Sequence, residues 1–216
     1  MARSNRFDSV ARLLLSPLLL LSGAAVFMLP GALRLGKTRP TDLDGVVTIE
    51  DAIVACKDSG LNGWALVTFA QNLVRRKFAI YTTRNAWDSS ARAFEHGMGY
   101  CTQYNLALKE ILDRLGFKTQ AVFCPKVRNL ADPRWAMGHT WLRVTIDGRE
   151  RDVCAGQLEN RPGHNQFMPL LPVLPAPGPV LFLTHLGVVL LSGFVEWKAI
   201  LTGRPAPYWT YIERPI

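Results

Sequence analysis

Apolar residues along this chain follow two patterns. Through the middle they recur at helix or strand spacing. At both ends they run on with no polar face. From Leu13 to Leu33 no charged residue occurs, a stretch about as long as one bilayer span. Arg3, Arg6 and Arg12 precede it, and Arg34, Lys37 and Arg39 follow it, so basic flanks leave its orientation open. It outruns the core of a signal peptide, which predicts an uncleaved N-terminal anchor. A second apolar region, Phe167 to Val195, opens with Pro169, Pro172, Pro175, Pro177 and Pro179, too many for a helix. Val180 to Val195 continues it as an apolar segment, short for a span unless Trp197 and its neighbours are included. A second membrane helix, a re-entrant segment, a helix lying on the membrane and a helix packed on the protein all fit it.

Between these ends the pattern predicts an α+β domain. Thr48-Ile49-Glu50-Asp51 reads as a helix start with acidic residues in the first turn, running to about Lys57 before Gly60. Trp64 to Arg75 is amphipathic, and Phe78 to Tyr81 is a short strand or extended lead-in. Asn85-Ala86-Trp87-Asp88 reads as a loop or helix start. Behind Gly97-Met98-Gly99-Tyr100-Cys101, the positions Leu106, Leu108, Ile111, Leu112 and Leu115 keep mixed three- and four-residue spacing, and Gly116 closes the run. Gln120 to Cys124 and Gly138 to Ile146 read as strands. Asp147-Gly148 is a two-residue hairpin signal that returns Arg149 to Cys154 as a partner strand. The expected organisation is a basic N-terminus and anchor at 1–40, a catalytic domain at 41–165, and a proline-rich segment, hydrophobic helix and tail at 166–216.

Charge adds one constraint. The chain carries 25 Lys and Arg against 17 Asp and Glu, a net charge of +8. Much of the surplus lies beside the apolar ends and in Arg75-Arg76-Lys77, which fits attraction to anionic lipid headgroups. No nucleic-acid-binding module or basic–aromatic platform accompanies it, so nucleic acid is not an expected partner. Cys56, Cys101, Cys124 and Cys154 show no Cys-x-x-Cys pairing, and His139 and His164 lack paired ligand spacing, so neither metal nor cofactor is expected. The four cysteines read as buried reduced thiols.

The candidate chemistry starts at Cys101. A glycine-rich turn that delivers a thiol to the first turn of a helix exposes it to amide dipoles, which favour the thiolate. His139 opens the following long strand and Asp152 lies on the next, the order in which a thiol, its base and a group orienting that base would be needed. With a two-residue loop, Ile146 pairs with Arg149, Arg143 faces Asp152, and His139 faces Gly156. Asp152 then shares a sheet face with His139 but sits about 13 Å along the strand from it. A four-residue loop at 145–148 or a bulge near Arg151 would close the gap, and Asp152 is taken as the orienting acid on that basis. Gln157, Glu159 and Asn160 are the substitutes. The Cys101 N–H is the expected oxyanion donor, with Asn85, Trp87 or His96 supplying a second. Gln103 and Asn105 could cap or position a group, but a solvated or packing role is expected, and Trp141 either shields the imidazole or packs in the core.

Gly99-Tyr100-Cys101, Leu115-Gly116-Phe117, the strand Gln120 to Cys124, His139-Thr140-Trp141 and the acidic residue after it resemble the transglutaminase-like superfamily of papain-like cysteine enzymes over roughly residues 94–156. Gly99-Tyr100-Cys101, Leu115-Gly116-Phe117 and Asp152-Val153 also match the related arylamine N-acetyltransferases. The resemblance implies a nucleophile-bearing helix packed on an antiparallel sheet, and a Cys101–His139–Asp152 triad. It implies a protease, amidase or acyltransferase that acts on a peptide, amide or other acyl substrate through a thioester. The superfamily usually places its acid about two residues after Asp152, where this chain has Cys154. N-acetyltransferase-like acetyl transfer is the alternative activity, with acetyl-CoA as substrate. A catalytically inactive, membrane-bound binding module is the alternative of another class.

Overall fold

A computed structural model describes residues 22–130 and 136–214 and shows a mixed α+β fold. Helix α1 is described from Ser22 to Leu35; residues 13–21 of the expected N-terminal span lie outside the described part. Three helices cover the core: α2 (Ile49–Asp58), α3 (Gly63–Lys77) and α5 (Cys101–Arg114). The sequence start signal for α2 is a full capping box. Thr48 Oγ1 accepts from the Asp51 N–H at 3.2 Å, and Asp51 Oδ2 accepts from the Thr48 N–H at 2.7 Å. A short helix, α4 (Ser90–His96), precedes the glycine-rich turn before Cys101.

Two sheets frame the site. In the larger, β3 (Lys118–Asn129) lies between β4 (Ala136–Ile146) and β6 (Phe167–Pro169), β5 (Arg149–Val153) pairs with β4, and β7 (Leu174–Pro175) adds to β3. All its pairings are antiparallel. The smaller sheet sets β1 (Ile80–Thr82) between β2 (Met98–Gly99), parallel to it, and β8 (Tyr211–Glu213), antiparallel. The proline-rich segment therefore contributes two edge strands, where missing N–H donors are tolerated. Residues 166–216 complete both sheets rather than trailing from them.

The β4–β5 hairpin has the two-residue loop read from the sequence. Asp147 and Gly148 both have positive φ, 49° and 73°, which suits the right-handed twist of the strands they join. Ile146 faces Arg149 and Arg143 faces Asp152 in an unbroken register. The longer loop or bulge expected to bring Asp152 toward His139 is absent from this hairpin.

Helix α6 (Gly178–Thr202) is 25 residues long, longer than the apolar run alone indicated, and is long and apolar enough to cross a membrane. It extends past Val195, and Glu196 on that extension is buried as part of an ion cluster. Arg84 Nε meets one carboxylate oxygen at 2.8 Å, and Arg34 Nη1 the other at 3.0 Å. Gly193 lets α1 cross close by, since a Cβ there would lie 2.3 Å from the Phe27 ring. The polarity of α6 is inverted. His185, Ser192 and Glu196 make hydrogen bonds or ion pairs to the rest of the protein, while Phe182, Leu183, Leu190 and Phe194 are exposed.

Candidate active site

Cys101 is the first residue of α5, and Gln103 fastens the turn before it. Its Oε1 accepts from the Tyr100 N–H at 3.1 Å, and its Nε2 donates to the Asn85 and Asp88 carbonyls at 3.0 and 2.9 Å. Gln103 therefore caps the helix, rather than being solvated or merely packed as the sequence alone favoured. One helical turn on, Asn105 faces the same way as Cys101. Its Nδ2 donates to the Thr140 carbonyl at 2.7 Å, and its Oδ1 accepts from the Ala155 N–H at 3.0 Å. Carrying the β4–β5 register two places further would set Thr140 opposite Ala155, yet pairing ends at Leu142–Val153. The Asn105 amide stands where that ladder rung would be, and so pries the two chains apart at the end of the sheet. The Thr140 N–H turns to the Cys101 sulfur. Cys101 and Asn105 thus dock against the backbone of the residue that follows His139.

The parting of the hairpin brings Cys154 to the imidazole. His139 Nε2 lies 3.2 Å from Cys154 Sγ, and Asn105 Nδ2 lies 3.5 Å from the same sulfur. The Cys154 carbonyl is held by Gln71 and Asn160, at 3.2 and 2.9 Å. The His139 ring stacks on Trp141, with centroids 5.9 Å apart, and takes the edge of Phe167 at 4.7 Å. Cys101, His139 and Cys154 line one cavity of about 290 Å³ together with Tyr81, Tyr104 and Arg214.

Asp152 is not part of this arrangement. Its Oδ1 accepts from Arg143 Nε at 3.2 Å, the cross-strand ion pair that the simple register favours, and no hydrogen bond joins it to His139. The carboxylate expected beside the imidazole is replaced by the Cys154 thiol, because two further residues of chain are needed to come within reach. Gln157, Glu159 and Asn160 line the cavity, but none bonds the ring: Gln157 donates to Asn129, and Asn160 holds Cys154 and Gln166. Asn85, Trp87 and His96 lie outside the cavity lining. Asn85 binds Asp88 and the Met98 carbonyl, His96 Nδ1 approaches Asp88 at 3.7 Å, and Trp87 is exposed. The parity of the strands could have pointed to Cys154 from the sequence. Tyr81, Tyr104 and Arg214 carry no such signal, since tertiary packing alone brings them together.

Burial sets the protonation of the site. It lowers the His139 pKa to about 3, helped by the charge of Arg214. It raises Cys154 to about 12 against the hydrogen bond from Asn105. It also raises Cys101, opposed by the Thr140 N–H and by Thr102. Burial thus favours the neutral imidazole of His139 and the neutral thiols of Cys101 and Cys154. All four cysteines are free, and among the described residues no group of three or more His, Cys, Asp or Glu is disposed to bind a metal. No protein-family model and no curated protein matches this chain.

Proposed function

We propose that this protein is a membrane-associated, transglutaminase-like cysteine hydrolase of amide or acyl substrates, with Cys101 as nucleophile and His139 as its base. The observation that carries this reading is the seating of Cys101, at the N-terminus of α5, against the Thr140 N–H in the cavity that also holds His139. With Nε2 engaged by Cys154, Nδ1 is the ring nitrogen left to accept the thiol proton. Because both groups rest neutral, proton transfer accompanies attack rather than preceding it. Sulfur bonds to the carbonyl carbon as its proton passes to His139. The amine then leaves with that proton and a thioester remains. Water attacks the thioester, giving its proton to His139, and the thiol is released with the acid. The Cys101 N–H, unpaired at the helix start, is placed to donate to the oxyanion. In the transglutaminase-like arrangement Cys154 then takes the acid's place as the positioning group. The apolar outer face of α6 supports membrane association, for its Phe and Leu side chains stay exposed among the described residues.

Trapping the acyl-enzyme tests the reading. Intact-protein mass spectrometry after rapid quench from a panel of acyl anilides should show an adduct on Cys101. Cys101→Ser and His139→Ala should abolish turnover, and Asp152→Asn should leave it within about twofold. The 3.2 Å contact between His139 and Cys154 favours one second reading, in which Cys154 carries the acyl group. An adduct mapped to Cys154, lost in Cys154→Ser and kept in Cys101→Ser, would establish that reading instead.

A further inference from the structure

The cavity carries a positive charge that acyl transfer to Cys101 does not use. Arg214 follows β8, and its backbone N–H donates to the Ala79 carbonyl at 2.8 Å, which fixes the chain where the side chain enters the cavity. Its guanidinium carbon lies 5.0 Å from the ring centre of Tyr81 and 5.0 Å from that of Tyr104. Nη1 is buried and makes no hydrogen bond, and no carboxylate among the described residues pairs with Arg214. Arg75, only 4% exposed, lines the same cavity. Its pKa is lowered to about 10, by burial first and by the charge of Arg214 second. Among the described residues the lining holds one carboxylate, Glu159, which is exposed. Two guanidinium groups thus line one partly open cavity, and the carboxylate beside them among the described residues faces solvent. A buried N–H without an acceptor is costly, and a site that keeps one fits a ligand that brings the acceptor. The planar guanidinium fork matches the two oxygens of a carboxylate.

We infer that Arg214 is the docking point for a carboxylate carried by the substrate, so that the site takes acyl compounds bearing a free carboxylate within reach of the scissile carbonyl, such as acidic peptides. The inference rests on the reading of Cys101 as nucleophile. Charge that waits in the cavity also selects between substrates, since a neutral analogue leaves the guanidinium buried and unmatched.

Iodoacetate and iodoacetamide are probes of equal reach that differ in one carboxylate. Each is reacted with the full chain in detergent, and the rate at Cys101 is read by peptide mapping and divided by its rate with glutathione. The expected ratio of iodoacetate to iodoacetamide at Cys101 exceeds that of glutathione by roughly tenfold and falls with added salt. Arg214→Gln should bring the ratio to the glutathione value, and Arg214→Lys should keep part of it. An unchanged ratio in Arg214→Gln, or no preference in the natural sequence, overturns the carboxylate site. Should neither reagent reach Cys101, thermal unfolding is read instead: succinate but not succinamide should raise Tm, and equal effects overturn the site. The two readings fail separately. A preference for iodoacetate with no turnover of any acyl compound removes the nucleophile and leaves the carboxylate site. Turnover indifferent to a substrate carboxylate, with Arg214→Gln lowering kcat equally for charged and neutral substrates, makes Arg214 a stabiliser of the reacting oxygen and overturns the carboxylate site.

Discussion

Cys154 does less for His139 than a carboxylate in its place would. Burial first and the charge of Arg214 second lower the ring's pKa to about 3, and a neutral thiol 3.2 Å from Nε2 offers the imidazolium no compensating charge. Acylation of Cys101 should then lack an acid limb near 6.5 and lose activity only toward pH 3. Cys154→Asp should move that limb upward by more than a pH unit, as measured by single-turnover acylation from pH 3 to 8. A limb that stays in place would mean that Cys154 does not govern the ring. Much of this was legible beforehand. The period of two put residues 139, 152 and 154 on one sheet face, and the spacing showed that Asp152 was too distant in a simple hairpin. The identity of the partner was not legible, because it follows from where the two strands stop pairing.

That stopping point belongs to helix α5. Asn105 takes the rung between Thr140 and Ala155, so a side chain on one element decides how far another extends. Asn105→Ala would strip a buried carbonyl and a buried N–H of their partners, at about 1–3 kcal/mol for each. Chemical denaturation should show that loss, and acylation should fall with it, while Asn105→Asp should recover little because its carboxylate cannot donate to the Thr140 carbonyl. The helix and the hairpin were plain in the sequence from spacing and from Asp147-Gly148. The insertion was not, since Asn105 reads there as one more polar residue in an early helical turn. The proline-rich stretch hid two strands for a related reason: Pro169 and Pro175 forbid a helix, but whether an extended segment pairs depends on an available edge, here β3.

At the scale of the molecule, the burial of a neutral imidazole links stability to pH. His139 titrates near 6.5 when unfolded and near 3 when folded, so between these values the unfolded chain holds more protons. Its contribution is therefore whole above about pH 6.5 and drains away as pH falls toward 3, at up to about 1.4 kcal/mol per unit. Thermal melts from pH 7 to 4 should show a falling Tm that His139→Phe flattens. An equal fall in both proteins would assign the effect to other groups. The outward apolar face of α6 was foreshadowed by its unbroken hydrophobicity. Its inward side was not, because a histidine, a serine and a glutamate look like interruptions until their partners are known. One such partner is Tyr100, whose hydroxyl lies 2.5 Å from His185 Nδ1, next door to Cys101. Trimming away the greasy C-terminal segment from Gly178 onward, the usual route to a soluble fragment, would cut this clasp and remove β8 and Arg214 as well. Such a fragment would be easier to handle and would no longer possess the intact cavity it was made to reveal.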